Sequence, residues 1–207
     1  MESAPGNAPE PRITPLPRAE WGDDVRAALN DAFAPTIVER FLDTSPEAIP
    51  VPTAISTMMH HPTLTGPWLT FNNQLLWSST IGDRLRELVV LRVAWRTRSD
   101  YEWVQHVQLS ARYAITEVEV TAIAHNDTTH PWTPFERAAL DATDQLLDDY
   151  VIDDATWTAL TIEFNEQQLM EFVFAIGAYT TLAMLFKSIA LPLEPGMTIP
   201  ACGLPNA

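Results

Sequence analysis

Apolar residues recur at spacings of three and four over most of residues 20–189. That is the period of one face of an α-helix, and alternating runs closed by Asn-Gly or Gly-Asn turns are missing. The pattern predicts an all-α chain with helices over 20–33, 36–42, 53–60, 63–79, 83–97, 100–114, 116–125, 133–150, 153–164 and 166–189. Helix starts carry their own chemistry. Asp83, Thr116, Thr133 and Asp153 are each placed to accept backbone N–H bonds as N-caps, and Thr116 with Glu119 and Thr133 with Glu136 have capping-box spacing. Pro134 then falls at the first helical position, where its missing N–H costs nothing. The flanks are proline-rich and lack apolar periodicity, so residues 1–19 are expected to form an extended arm and 195–207 a tail, around one helical domain over 20–194.

Charge narrows the partners. With 12 Lys and Arg against 27 Asp and Glu, the formal net charge of -15 removes the clustered cations that nucleic acid or an anionic membrane surface would need. The single cysteine, Cys202, allows no intrachain disulfide, no Cys-x-x-Cys pair and no thiolate zinc cluster. The N-terminal run MESAPGNAPEPR has an acid and prolines where a secretory signal places a basic start and an apolar core, so a cytoplasmic protein is expected. The longest uncharged stretch, 172–186 between Glu171 and Lys187, is shorter than the ~20 residues that a membrane-spanning helix needs. It reads as a buried helix that is apolar on every side, for which a contact between subunits is one cover.

Two helices place charged residues where apolar ones are expected. On 83–97, Arg92 and Arg96 mark one side and Val90, Leu91 and Ala94 the other, yet Glu87 falls on the apolar side. A buried carboxylate needs a partner or a proton, and an arginine such as Arg84 or a neighbouring helix end would serve as well as a reactive group. On 100–114, Gln105, Gln108 and Arg112 mark the wet side, so Trp103, Val107, Ser110 and Ala114 point inward and His106 lies close to that direction. Glu102, one turn earlier, flanks it at the i,i+4 spacing that lets a carboxylate orient an imidazole. The pair suits general acid–base work, and it equally suits plain helix stabilisation.

The run RLRELVVLRVAWRTRSDYEWVQHVQLSARYAITEVEVTAIA resembles the signature of the carboxymuconolactone decarboxylase family, which includes the alkylhydroperoxidase D group, over residues 62–125. In the hydroperoxidase branch a glutamate is followed after eleven residues by Cys-x-x-Cys and, three residues on, by a histidine; counted back from His106, Glu87 takes the glutamate position and Ser99 and Glu102 the two cysteines. The resemblance implies an alkylhydroperoxidase D-like helical bundle, assembled as a trimer or hexamer. It also implies Glu87 and His106 as a proton relay, with no metal or organic cofactor.

The missing thiols change the expected chemistry. A thiol peroxidase needs a low-pKa thiolate and a resolving thiol, and Ser99 and Glu102 supply neither. The expectation is therefore a cofactor-free decarboxylase or isomerase acting on a small lactone or aromatic-derived substrate. His106 would move the proton, Glu87 or Glu102 would fix its tautomer, and Tyr101 or Ser99 would face an oxyanion. The alternative is a non-catalytic ligand-binding or assembly protein that keeps the fold. Which of Arg84, Arg92 and Arg98 would face a substrate carboxylate is left open. The 7 Trp residues fit an aromatic substrate or a helical core alike.

Overall fold

The computed structural model describes residues 10–45 and 47–206, and every regular element among them is helical. The α-helices are α1 Asp23–Ala32, α2 Pro35–Leu42, α3 Thr53–Met58, α4 Pro62–Trp77, α5 Asp83–Arg96, α6 Asp100–Ser110, α7 Glu117–His125, α8 Pro134–Asp148, α9 Asp154–Leu160 and α10 Glu166–Ser188. Each predicted helix is present. Three ends differ by three residues or more: a 3-10 turn at Arg18–Glu20 precedes α1, which starts only at Asp23, α6 gives way to a second 3-10 turn at Ala111–Tyr113, and α9 stops at Leu160. Ala114, expected to point inward, is exposed because the chain leaves the helix after Ser110 and Ala114 takes a left-handed conformation at φ 55°.

The caps follow local chemistry. Thr116 and Thr133 each close a reciprocal capping box, and the Asp153 side chain accepts from the Thr156 N–H. Asp83 departs from expectation. Gly82, at φ 82°, holds the cap position that favours glycine, and Asp83 sits at the first helical position with its carboxylate accepting from Arg86 Nη1 at 2.6 Å.

The chain divides into two compact units. The first comprises the residues through Gln74 and Phe186–Gly196. Its core gathers Val25, Leu29, Val38, Met59 and Leu69. Gly66 on α4 lies so close to α1 that an added Cβ would meet the Ala28 Cα at 3.1 Å. The described part of the arm is strapped down: Arg12 N donates to Ile189 O at 2.8 Å, Leu16 N to Ser56 O at 3.1 Å, and His60 Nε2 to Thr14 O at 2.9 Å. Residues 1–9 of the predicted arm lie outside the described residues.

The second unit, Leu75–Leu185 with the segment from Met197, carries all the candidate residues. Its axis is α5, buried without interruption from Leu85 to Ala94 and packed on α6, α7 and α8. Such a helix has no wet side. Arg92, expected on one, is buried at 3% exposure, where its Nε and Nη2 grip Asp144 at 2.7 and 2.6 Å and Nη1 donates to Ile123 O. Arg84 ties α5 to the starts of α7 and α8 through Glu119, Glu136 and the Ala114 carbonyl. The C-terminal segment is held by Trp103 Nε1, which donates to Gly203 O at 3.0 Å, and by Asn206 Nδ2, which donates to Arg98 O at 2.8 Å.

α10 is longer than the uncharged stretch inside it. By length and composition it could cross a membrane, so the argument from a short apolar run does not hold. Its packing describes a core helix: Phe172, Ala175, Ile176, Tyr179 and Ala183 are buried. Glu171 near its start accepts from the Ser79 and Thr80 hydroxyls at 2.6 Å each.

Candidate functional site

Glu87, in the middle of α5, is 2% exposed, and its Oε1 lies 2.8 Å from Nδ1 of His106 on α6. With the carboxylate ionised, Nδ1–H donates and Nε2 is left as the reactive nitrogen. Arg84 is not the partner of Glu87. Its guanidinium is committed to Glu119 and Glu136. The period of α5 forces Glu87 inward, and the packing of α6 on α5 brings the imidazole to it.

The side chains of Glu102 and Ser99 are buried without a hydrogen-bond partner among the described residues. Glu102 is 3% exposed, and neither carboxyl oxygen has a hydrogen-bond partner among the described residues. Burial pushes its pKa from 4.5 up to about 7, opposed by Ser99 and by the His106 charge. Ser99 is fully buried, and its hydroxyl sits near enough to temper that rise without meeting hydrogen-bond geometry. Tyr101 is buried too, but its hydroxyl accepts from Gln105 Nε2 at 3.2 Å. Of the five candidates, then, Glu87 and His106 are joined directly, Glu102 and Ser99 stand unpartnered beside them, and Tyr101 is engaged along its own helix.

Two residues escaped the sequence reading. Tyr179 on α10 stands edge-on to His106, with ring centroids 5.2 Å apart and planes at 82°. Burial raises the Tyr179 pKa well above the usual phenol value, and the charges of Glu87 and Glu102 add to the rise while Arg86 opposes it. Arg86 is 2% exposed, donates from Nη1 to Asp83, and places its guanidinium carbon 5.5 Å from the centre of the Tyr113 ring; its Nε has no partner among the described residues. A signal existed for each. Arg86 directly precedes the inward-facing Glu87, and Tyr179 is the lone tyrosine of 172–186. The arginines weighed for a substrate carboxylate lie elsewhere: Arg84 and Arg92 are paired as described, and Arg98 is exposed.

The remaining histidines pack on aromatic rings or sit at turns. His125 faces Trp95 at 6.4 Å, His130 tilts over Trp132 at 4.3 Å, and His61 Nδ1 meets the Thr63 hydroxyl at 3.2 Å. Among the described residues no group of three or more His, Cys, Asp or Glu is arranged to hold a metal ion.

The buried Glu–His pair lies inside a segment with known relatives: residues 62–145 match the profile of the Carboxymuconolactone decarboxylase family. Over that segment, about two fifths of the chain, the protein is similar to this family. Counted on the resemblance, Glu87 and His106, joined at 2.8 Å, fall at the glutamate and histidine positions of the hydroperoxidase signature, and Ser99 and Glu102, unpartnered among the described residues, fall at its cysteine positions. The fold agrees. The crystal structure of an alkylhydroperoxidase AhpD core, an uncharacterized peroxidase-related protein from Ralstonia eutropha, is 17% identical with a TM-score of 0.73 and covers 91% of this chain and 95% of its own. An uncharacterized peroxidase-related protein from a Silicibacter species is 16% identical, with a TM-score of 0.72 over 92% of this chain and 96% of its own. The debrominase Bmp8, solved as a cysteine-to-alanine variant with 2,3,4-tribromopyrrole, is 16% identical, with a TM-score of 0.65 over 88% and 91%. No curated protein matches the chain at a significant level.

Proposed function

We propose that this protein is a cofactor-free lyase or isomerase that moves a proton on a small unsaturated substrate, a lactone or an aromatic-derived acid. The observation that carries the reading is the buried 2.8 Å contact between Glu87 and His106. A carboxylate at Nδ1 fixes the tautomer and stabilises the imidazolium that forms, leaving Nε2 to exchange a proton with carbon. In a decarboxylation the bond to the departing carboxylate breaks, CO2 leaves, and the electron pair runs through the conjugated system onto oxygen. The His106 imidazolium then returns a proton to carbon and is recharged from water. In a double-bond shift, neutral His106 takes the proton from one carbon and delivers it to another. Glu102, with a pKa near 7, is a second group able to give or take a proton at neutral pH. The same reading has the protein cytoplasmic and assembled through the apolar outer side of α10, where Met170, Val173 and Phe174 are exposed.

The test is turnover of small unsaturated lactone acids and β,γ-unsaturated carbonyl compounds, followed by CO2 release and by deuterium uptake from D2O. His106→Ala and Glu87→Gln are expected to abolish turnover with helicity and assembly intact. Unchanged turnover in either variant sinks the reading. A fall in melting temperature alone, with no activity in the parent protein, supports a binding or assembly protein instead.

A further inference from the structure

The scheme above leaves Tyr179 without work, yet its surroundings are not those of a core tyrosine. A buried phenol ordinarily bonds its hydroxyl to a nearby acceptor. The Tyr179 hydroxyl makes no hydrogen bond with any described residue, although the side chain is 3% exposed. Its ring is fixed against His106 by an edge contact at 5.2 Å, so α10 holds a phenol beside the imidazole that α5 and α6 position. The groups that act on that hydroxyl are Glu87, Arg86, Glu102 and Tyr113. Together the acids and the burial keep the phenol protonated, so it can donate without giving up its hydrogen.

Arg86 completes the arrangement. Its guanidinium is buried, anchored on one side by Asp83 and laid over Tyr113 on another, and its Nε is left unpartnered. A buried cation with a free donor, close to an unbonded neutral phenol and a proton-transferring histidine, is arranged to receive negative charge that builds up on a bound molecule.

We propose that Tyr179 is a catalytic residue that donates its hydroxyl hydrogen bond to the substrate oxygen on which negative charge collects, with Arg86 supplying the opposing charge. The site therefore takes small carbonyl compounds whose reacting carbon is conjugated to that oxygen. This rests on the proton-transfer reading of His106. As a C–H proton passes to Nε2, the C–H electron pair forms a new C=C bond and the carbonyl π pair moves to oxygen, giving an enolate bonded to Tyr179. The phenol keeps its hydrogen throughout. When the imidazolium returns the proton to the distal carbon, the oxygen pair re-forms the C=O bond. In decarboxylation the same oxygen receives the pair released with CO2.

4-Nitrophenol tests the oxygen site separately from the proton transfer, because its phenolate resembles the enolate in charge and absorbs visible light when ionised. The intact protein is expected to bind it in the ionised form, and Tyr179→Phe to weaken that binding by about tenfold or more. Arg86→Gln is expected to shift the bound molecule toward its neutral form, and His106→Ala to leave affinity within about threefold, since the histidine acts on carbon. Failure of the proton-transfer reading would show as turnover surviving His106→Ala, whatever nitrophenol does. The oxygen site is overturned if the intact protein does not bind 4-nitrophenol, or if Tyr179→Phe binds it within about twofold of the parent. Should Tyr179→Phe fail to fold, 3-fluorotyrosine labelling replaces it. With the other tyrosines assigned by replacement, a Tyr179 fluorine resonance unmoved by 4-nitrophenol overturns the proposal, and a shifted one supports it.

Discussion

The His106 Nδ1 lies 2.8 Å from Glu87 Oε1 across α5 and α6, while Glu102, one turn before His106 on its own helix, keeps both carboxyl oxygens without a partner among the described residues. Two carboxylates beside one imidazole thus have different states. Glu87 is satisfied by the histidine, and Glu102 faces burial alone.

That difference makes Glu102 a source of pH-dependent stability. Its pKa rises from 4.5 to about 7 on folding, so the folded state binds the proton more tightly than the unfolded chain. The stabilisation is full below about pH 4.5 and is lost as pH rises through about 7, where holding the charge in the interior costs on the order of 3 kcal/mol. Glu102→Gln should match the parent in melting temperature near pH 4.5 and exceed it near pH 8. Parallel melting profiles for the two proteins would refute this assignment.

Asp144 is expected to be the most costly acid to remove from the second unit. It accepts both Nε and Nη2 of the buried Arg92 and also binds Arg96. Asp144→Ala leaves the Arg92 guanidinium with only the Ile123 carbonyl, a loss of about 3 kcal/mol or more. Urea unfolding should show it, and a change below about 1 kcal/mol would mean that water reaches Arg92.

Thr133 tests the local chemistry of α8. Its hydroxyl accepts from the Glu136 N–H at 3.1 Å while the Glu136 carboxylate accepts from the Thr133 N–H at 3.0 Å. Thr133→Ala should cost about 1 kcal/mol, and Thr133→Ser should recover most of it. Equal losses in the two variants would rule out the capping box as the cause.

Assembly can be read by light scattering. The exposed Met170, Val173 and Phe174 on α10 are expected to be covered by another copy of the chain, giving a mass well above 23.1 kDa. Met170→Glu with Val173→Glu should lower it. A parent protein that runs at the mass of one chain would dismiss this contact.

Hydroperoxide chemistry should be absent. The lone thiol, Cys202, has its pKa raised by burial, which disfavours the reactive thiolate, and the chain has no second cysteine to resolve an oxidised form. Cys202→Ser is expected to leave hydroperoxide consumption with a dithiol reductant at the buffer rate. Clear consumption lost in that variant would reverse the conclusion.

The sequence by itself determined what depends on neighbours along the chain. The helical period placed the helices α1 to α10 of the described residues, Thr116, Thr133 and Asp153 capped the helices they precede, and the same period forced Glu87 and His106 inward as misplaced polar residues. Tertiary packing decided what depends on neighbours across it. Spacing on α6 offered Glu102 as the partner of His106, but α5 brought Glu87 to Nδ1 and left Glu102 to hold a proton. Arg92 looked like a surface residue until α8 supplied Asp144, and Tyr179 looked like core filling until α10 set its ring against His106. A helical period fixes which way a side chain points, and only the packing of other helices fixes what it meets there.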